Sequence, residues 1–218
     1  MGLGIEMTDP HARDRELLVA KVFAAVRPRD PRVLEAFRRI PRHVFIPESQ
    51  REQAYEDRAL PIGEMQTISQ PSMIALMLDA LECTPTSRVL EVGAGSGYAA
   101  ALLSCLAQEV DAIELRPLLV ARARETLAGL GIANVTIWEG DGSRGLAERA
   151  PFDRILVSAA PESVPPDLVA QLSPNGRIAI PVGGENIQHL LVGKKDAAGA
   201  VAWHKDIACL FVPLVQSS

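Results

Sequence analysis

The chain has 218 residues, 48% of them apolar and 22% charged, with a formal net charge of −5. That is enough apolar material for one well-packed unit and argues against disorder over most of the length. The acidic balance gives no overall attraction to nucleic acid or anionic lipid, and three scattered cysteines (Cys83, Cys105, Cys209) without CxxC or Cys/His spacing argue against a disulfide scaffold and a metal site.

Met1–Arg15 mixes charges and lacks the apolar segment of a signal peptide, and no run approaches the length of a membrane span. A reducing cytoplasm is therefore the expected location, with neither membrane nor nucleic acid as a partner, and a monomer is the expected assembly. Leu17, Leu18, Val22 and Val26 recur near helical spacing and predict a helix over 13–26, broken by Pro28 and Pro31. A second short helix is expected from Pro31 to Arg39. IPRHVFIP (40–47), bounded by prolines, reads as an extended or turn-like segment pinned by its apolar positions. Pro61 and Gly63 suggest loops over 48–69, with QTIS (66–69) a short extended piece. Gln70–Glu82 reads as a helix with Ser69 as N-cap and Pro71 in its first turn.

From residue 88 strands and helices alternate. RVLEV (88–92), EVDAIEL (109–115), NVTIWEG (134–140), FDRILVSAA (152–160) and GRIAIPV (176–182) read as strands. Helices are expected at 99–107, from Pro117 to near Gly129, and at 165–172. Two late strands, near Gln188–Val192 and Cys209–Leu214, complete an open, doubly wound, mostly parallel α/β sheet. The chain is expected to divide into a helical region (1–87) packed on an α/β region (88–218), as one compact unit.

LEVGAGSGY (90–98) lies between a strand and a helix, where Gly93, Ala94, Gly95 and Gly97 let the backbone turn tightly and approach a ligand. Residues 95–100 also match the GxGxxA pattern of nicotinamide enzymes, so the glycines alone leave two nucleotides open. An NAD fingerprint opens its domain, however, and this cluster lies far inside the chain. Glu91 beside the glycines suits a cationic donor such as S-adenosylmethionine and repels a diphosphate. Glu114, at the end of the second strand, is placed to accept both ribose hydroxyls. Asp141 can accept the adenine amino proton, with Gly142 letting the backbone run close to the ring. Asp153 opens its strand at the opposite sheet end and reads as a tie for neighbouring backbone.

IPRHVFIP, AYEDRALPIG (54–63), QTISQP (66–71), LEVGAGSGY, EGDG (139–142), APFDRILVSAA (150–160), GRIAIPVG (176–183) and FVPL (211–214), in this order, resemble the protein-L-isoaspartate O-methyltransferase family. The resemblance spans roughly residues 31–214. It implies a class I S-adenosylmethionine-dependent methyltransferase fold with added N-terminal helices and a modified C-terminal strand arrangement. It also implies methyl transfer from S-adenosylmethionine to the free α-carboxylate of isoaspartyl residues in damaged proteins and peptides, opening a path through methyl ester and succinimide to repair. A substrate carboxylate with a pKa of about 3.9 is already ionised at neutral pH, so no metal is required. Ser69 matches the family's active-site serine and would hold that carboxylate, with Thr67 a secondary donor and Asp57 a family-matched wall of the site. His43 reads as structural, and Tyr98 as either a neighbour of the cofactor or core. The chain departs from the family pattern at Met65, where many members have glycine, and at Ser72. The alternatives are a carboxylate methyltransferase for aspartate in a dedicated peptide and a non-catalytic S-adenosylmethionine-binding protein of the same fold.

Overall fold

The computed structural model describes residues 9–184 and 186–215; residues 1–8 of the charged N-terminal stretch lie outside them. Helix α1 (Ala12–Val26) buries Leu18, Val19 and Val22. Asp30 starts α2 (Pro31–Arg39) by accepting the Arg32 N–H, and Pro31 fills the first helical position, where its missing N–H costs little. IPRHVFIP is turn-like as expected, but its middle winds into a 3₁₀ helix (Arg42–Phe45), with Phe45 and Ile46 buried.

The next stretch is more ordered than its prolines and glycines suggest. A 3₁₀ helix (Glu48–Gln53) leads to a two-stranded antiparallel hairpin, β1 (Leu60–Gly63) and β2 (Gln66–Ile68). QTIS contains β2; its partner β1 is hidden in the sequence because Pro61 is tolerated in a two-stranded ribbon with free edges. Glu64 and Met65 form the turn at φ 52° and 57°, the positive pair that a two-residue hairpin loop needs. Helix α3 (Pro71–Leu81) begins after Gln70 rather than Ser69. Its cap comes from outside the helix: Asp57 Oδ1 accepts the Ser72 N–H at 2.8 Å.

The main sheet follows as β3 (Arg88–Val92), α4 (Tyr98–Ser104), β4 (Glu109–Glu114), α5 (Pro117–Gly129), β5 (Val135–Glu139), β6 (Phe152–Val157), α6 (Pro166–Gln171), β7 (Leu172–Gly183), β8 (Gln188–Lys195) and β9 (Val201–Cys209). Among the described residues it has seven strands in the order β5-β4-β3-β6-β7-β8-β9. Strands β3 to β7 run parallel, and β8 and β9 close the sheet as an antiparallel meander. Helix α4 stops at Ser104, short of Ala107; the Ser104 hydroxyl donates to the Ala101 carbonyl at 2.6 Å. Strand β7 starts at Leu172, but its pairing with β6 jumps from Phe152↔Leu172 to Arg154↔Arg177, so the regular ladder resumes where GRIAIPV was read.

The last strand differs most. It is Val201–Cys209, not Cys209–Leu214. The apolar run 210–214 instead turns back over the sheet's end, where Ala160 N–H donates to Val212 O at 2.8 Å and Leu214 N–H donates to Ala160 O at 2.9 Å.

Alternation along the strands makes two cores. One face carries Val89, Val110, Ala112, Leu156 and Ala179 and packs in one buried cluster with α1 to α5. The other carries Leu90, Val92, Ile113, Ile155 and Ile178 and packs with Leu168 of α6. The buried middle of β6 matches its continuous apolar run. Asp153, at the strand's start, accepts the Arg88 N–H at 2.9 Å and the Ser173 hydroxyl at 3.1 Å, tying backbone far from the cleft.

Candidate active site

Strands β4 and β6 flank β3 on opposite sides, so a crevice opens past the carboxyl ends of β3 and β6, the place where sheets of this kind bind ligands. The glycine loop crosses it. Gly93, Gly95 and Gly97 adopt φ values of 84°, 54° and 84°, a conformation that is costly for residues with a Cβ. Gly93 and Gly95 line the cleft with Ala94. Gly97 does not: it starts α4 against α5, where a Cβ would lie 3.2 Å from that of Ala123. Its contribution is close helix packing.

The cleft has two lobes that share Thr67, Gly93, Gly95 and Ser158. The first holds Glu114, Arg116, Ile113 and Gly142, roofed by the segment 212–215. Glu114 is 7% exposed. Its Oε2 accepts the Gly95 N–H at 2.7 Å and its Oε1 accepts the Arg116 N–H at 2.9 Å, so one carboxylate fixes the glycine loop and the turn after β4 together. Gly142 presents bare backbone, since a Cβ there would meet Val92 Cγ1 at 2.6 Å. Asp141 sits beside it and accepts the Ser143 N–H at 2.9 Å; Gly142, rather than Asp141, is the residue that lines the lobe.

The second lobe holds Glu91, Ser69, Thr67, Tyr98, Met77 and Phe211. Glu91 is 1% exposed. Its Oε1 accepts the Ser158 hydroxyl at 3.0 Å, and its Oε2 is buried without a hydrogen-bond partner. Burial pushes the carboxyl up to about 8, against the pull of Ser158 and with a further push from the Glu114 charge. A buried carboxylate oxygen without a hydrogen-bond partner is costly unless a cation or donor arrives to meet it.

Ser69 and Thr67 reach the cleft from the hairpin side. Asp57 does not line either lobe; it braces the segment that does, with Oδ1 on the Ser72 N–H and Oδ2 accepting from Gln70 Nε2 at 3.2 Å. Met65 is 91% exposed at the hairpin tip and lines neither lobe. Tyr98 is a core residue that also borders the cleft. It is 1% exposed, packs against Phe37 and Phe45 with ring centroids 6.2 and 5.4 Å away, and lines the second lobe. His43 is held by Tyr55, its Nδ1 2.8 Å from the phenol oxygen, and burial lowers its pKa to about 4, which suits a structural residue.

The family model described as protein-L-isoaspartate(D-aspartate) O-methyltransferase (PCMT) matches residues 14–218. The chain belongs to that family. A protein-L-isoaspartate O-methyltransferase of Roseiflexus sp. (strain RS-1) is 56% identical over 163 residues, 75% of each chain. A solved protein-L-isoaspartate O-methyltransferase superposes with a TM-score of 0.82 at 29% identity, covering 91% of this chain and 65% of that longer one. Another, from Plasmodium falciparum and bound to S-adenosyl-L-homocysteine, gives a TM-score of 0.79 at 25% identity over 96% of this chain and 100% of its own. The fold is that of the class I S-adenosylmethionine-dependent methyltransferases.

Within this protein-L-isoaspartate O-methyltransferase family framework, three residues stand out that motif reading passed over. Ser158 follows β6 in FDRILVSAA, which reads as plain buried strand. Arg42, next to the more conspicuous His43, is 0% exposed and donates to the carbonyls of Ala54, Arg58 and Ser69 at 2.6, 3.0 and 3.2 Å. It clamps the Asp57 and Ser69 segments to each other. Gln188 is 2% exposed and pairs with the Phe211 backbone through two hydrogen bonds, of 2.6 and 3.0 Å, holding the roof segment in place.

Proposed function

We propose that this chain methylates the free α-carboxylate of L-isoaspartyl residues in damaged proteins and peptides, with S-adenosylmethionine as donor. The observation that carries the reading is one continuous cleft with opposite chemistry at its two sides: buried carboxylates, Glu91 and Glu114, on the sheet, and the hydroxyls of Ser69 and Thr67 on the hairpin segment. Carboxylates suit a donor with an ammonium, a sulfonium and ribose hydroxyls. Hydroxyl donors suit an anionic acceptor.

The residues fit the donor. The unpartnered Glu91 Oε2 would meet the ammonium, Glu114 the ribose, and the bare backbone at Gly142 the adenine, with Asp141 beside it. Gly93, Ala94 and Gly95 would form the floor, while Gly97 acts through packing. When bound, S-adenosylmethionine supplies a methyl group already activated as a sulfonium. The chain's task is then alignment and exclusion of water. Ser69, with Thr67 nearby, would orient the substrate carboxylate by donating hydrogen bonds; Asp57 and Arg42 would hold Ser69 in place. No metal is needed, because nucleophile and electrophile are both prepared at neutral pH. No helix among the described residues is long and apolar enough to cross a membrane. The net charge of −5 supports protein substrates rather than nucleic acid or anionic lipid, and a monomer in the cytoplasm is the assembly and location proposed.

The test is methyl transfer from labelled S-adenosylmethionine to matched peptides bearing isoaspartate or aspartate. Base-labile label on the isoaspartyl peptide alone is expected. Label on neither peptide, with donor binding intact, would overturn the proposal in favour of a dedicated peptide substrate or a non-catalytic binding role.

A further inference from the structure

Glu91 is the group the donor reading leans on, and its surroundings are unfavourable to a carboxylate. From β4 it faces the Glu114 carboxylate; from α4, the Ala100 backbone N–H; Tyr98 of α4 and, from the hairpin and α3, Ser69, Ile74 and Met77 share the lobe. Among the described residues, no lysine, arginine or histidine lines that lobe. Ser158, from the end of β6, is the side chain that donates to Glu91, at 3.0 Å.

The placement of that serine is set by the sheet. Parallel pairing puts Val92 beside Val157, and the Ser158 N–H donates to the Val92 carbonyl at 2.8 Å. Leu156 belongs to the core on the α4 side, so alternation sends Ser158, two residues on, to the face that Glu91 occupies. Ser158 also lies at the junction of the two lobes.

We infer that Ser158 is a positioning residue for the methyl donor: its hydroxyl occupies Glu91 Oε1 and leaves Oε2 as the oxygen that receives the donor's ammonium. The inference rests on the donor reading of Glu91 above. It has a consequence for protons. With the carboxyl near 8 in the free protein, donor binding at neutral pH must release the Glu91 proton, and loss of the Ser158 hydroxyl makes that release harder. The penalty is therefore pH-dependent. It is large where Glu91 is protonated in the free protein and vanishes where Glu91 is already ionised.

The experiment is calorimetric titration of S-adenosyl-L-homocysteine into wild type, Ser158→Ala, Ser158→Thr and Glu91→Gln at pH 7 and pH 9, read as variant-to-wild-type ratios at each pH. Ser158→Ala should weaken binding about 5- to 10-fold at pH 7, the loss of one hydrogen bond to a charged group, and less than about 2-fold at pH 9. Ser158→Thr should restore it, and the KM for an isoaspartyl peptide should not change. An equal loss at both pH values, or none at pH 7, while Glu91→Gln still weakens binding, would overturn the role of Ser158 alone. Unchanged affinity in Glu91→Gln would overturn the donor reading of Glu91 itself.

Discussion

Ser69 reaches the cleft from the hairpin side and Glu114 from the sheet side, so their removal should separate turnover from binding. Ser69→Ala should lower kcat about tenfold or more, as loss of a donor to a charged carboxylate, while calorimetry finds cofactor affinity unchanged. Equal losses in both would move Ser69 out of the substrate half. Glu114→Ala should weaken cofactor binding by about 1–3 kcal/mol; its apo form also loses the anchor of the Gly95 and Arg116 N–H groups. Unchanged affinity would remove Glu114 from the site. Glu114 was legible because it ends a strand, where local pattern and ligand position coincide; Ser69 was legible through the family resemblance of QTISQP. Arg42 and Ser158 were not. Their signal is a contact across the fold, from Arg42 to Ser69 and from Ser158 to Glu91, and neither has a local pattern that distinguishes it from a surface arginine or a strand serine.

The hairpin and α3 are coupled through one carboxylate. Asp57→Ala removes the cap on the Ser72 N–H and the bond from Gln70. It should cost about 1 kcal/mol of stability and reduce turnover while donor binding holds, as seen by urea unfolding alongside steady-state kinetics. Retained turnover would show that Ser69 is held by Arg42 alone. At the hairpin tip, Met65 occupies φ 57° while 91% exposed. Met65→Gly should therefore stabilise the fold by up to about 1 kcal/mol with donor affinity and peptide KM unchanged. A rise in KM would place the Met65 side chain on the substrate path. At this scale the sequence was readable wherever apolar periodicity was strong, as in β3, β4 and α5. It misled where exposure and burial ran against type. β9 is an edge strand, exposed along most of its length, with His204 and Lys205 in its middle. The more apolar 210–214 looks like a strand and is instead a roof, interrupted by Pro213.

Over the whole molecule, buried Glu91 and half-buried His43 shape how stability responds to pH. Glu91 titrates near 8 in the folded protein against an ordinary 4.5, so between those values the unfolded chain sheds a proton that the folded one keeps, and stability falls as pH rises. His43 titrates near 4 against an ordinary 6.5, so within that window stability falls as pH drops. The two slopes oppose each other where the windows overlap; above 6.5 only the Glu91 slope remains. Urea midpoints of the ligand-free protein should therefore decline between pH 6.5 and 8, Glu91→Gln should remove that decline, and saturating S-adenosyl-L-homocysteine should offset it. A wild-type midpoint that stays flat, or a decline that survives in Glu91→Gln, would count against a strained Glu91. The parallel sheet and its crevice were readable from the alternation of runs after residue 88, whereas the closure of the crevice depends on the roof, held by Ala160 and Gln188. That roof is also the last described part of the chain to leave the ribosome. A nascent chain that has emerged only as far as β9 already carries Glu114 and the glycine loop but lacks the segment that roofs their lobe.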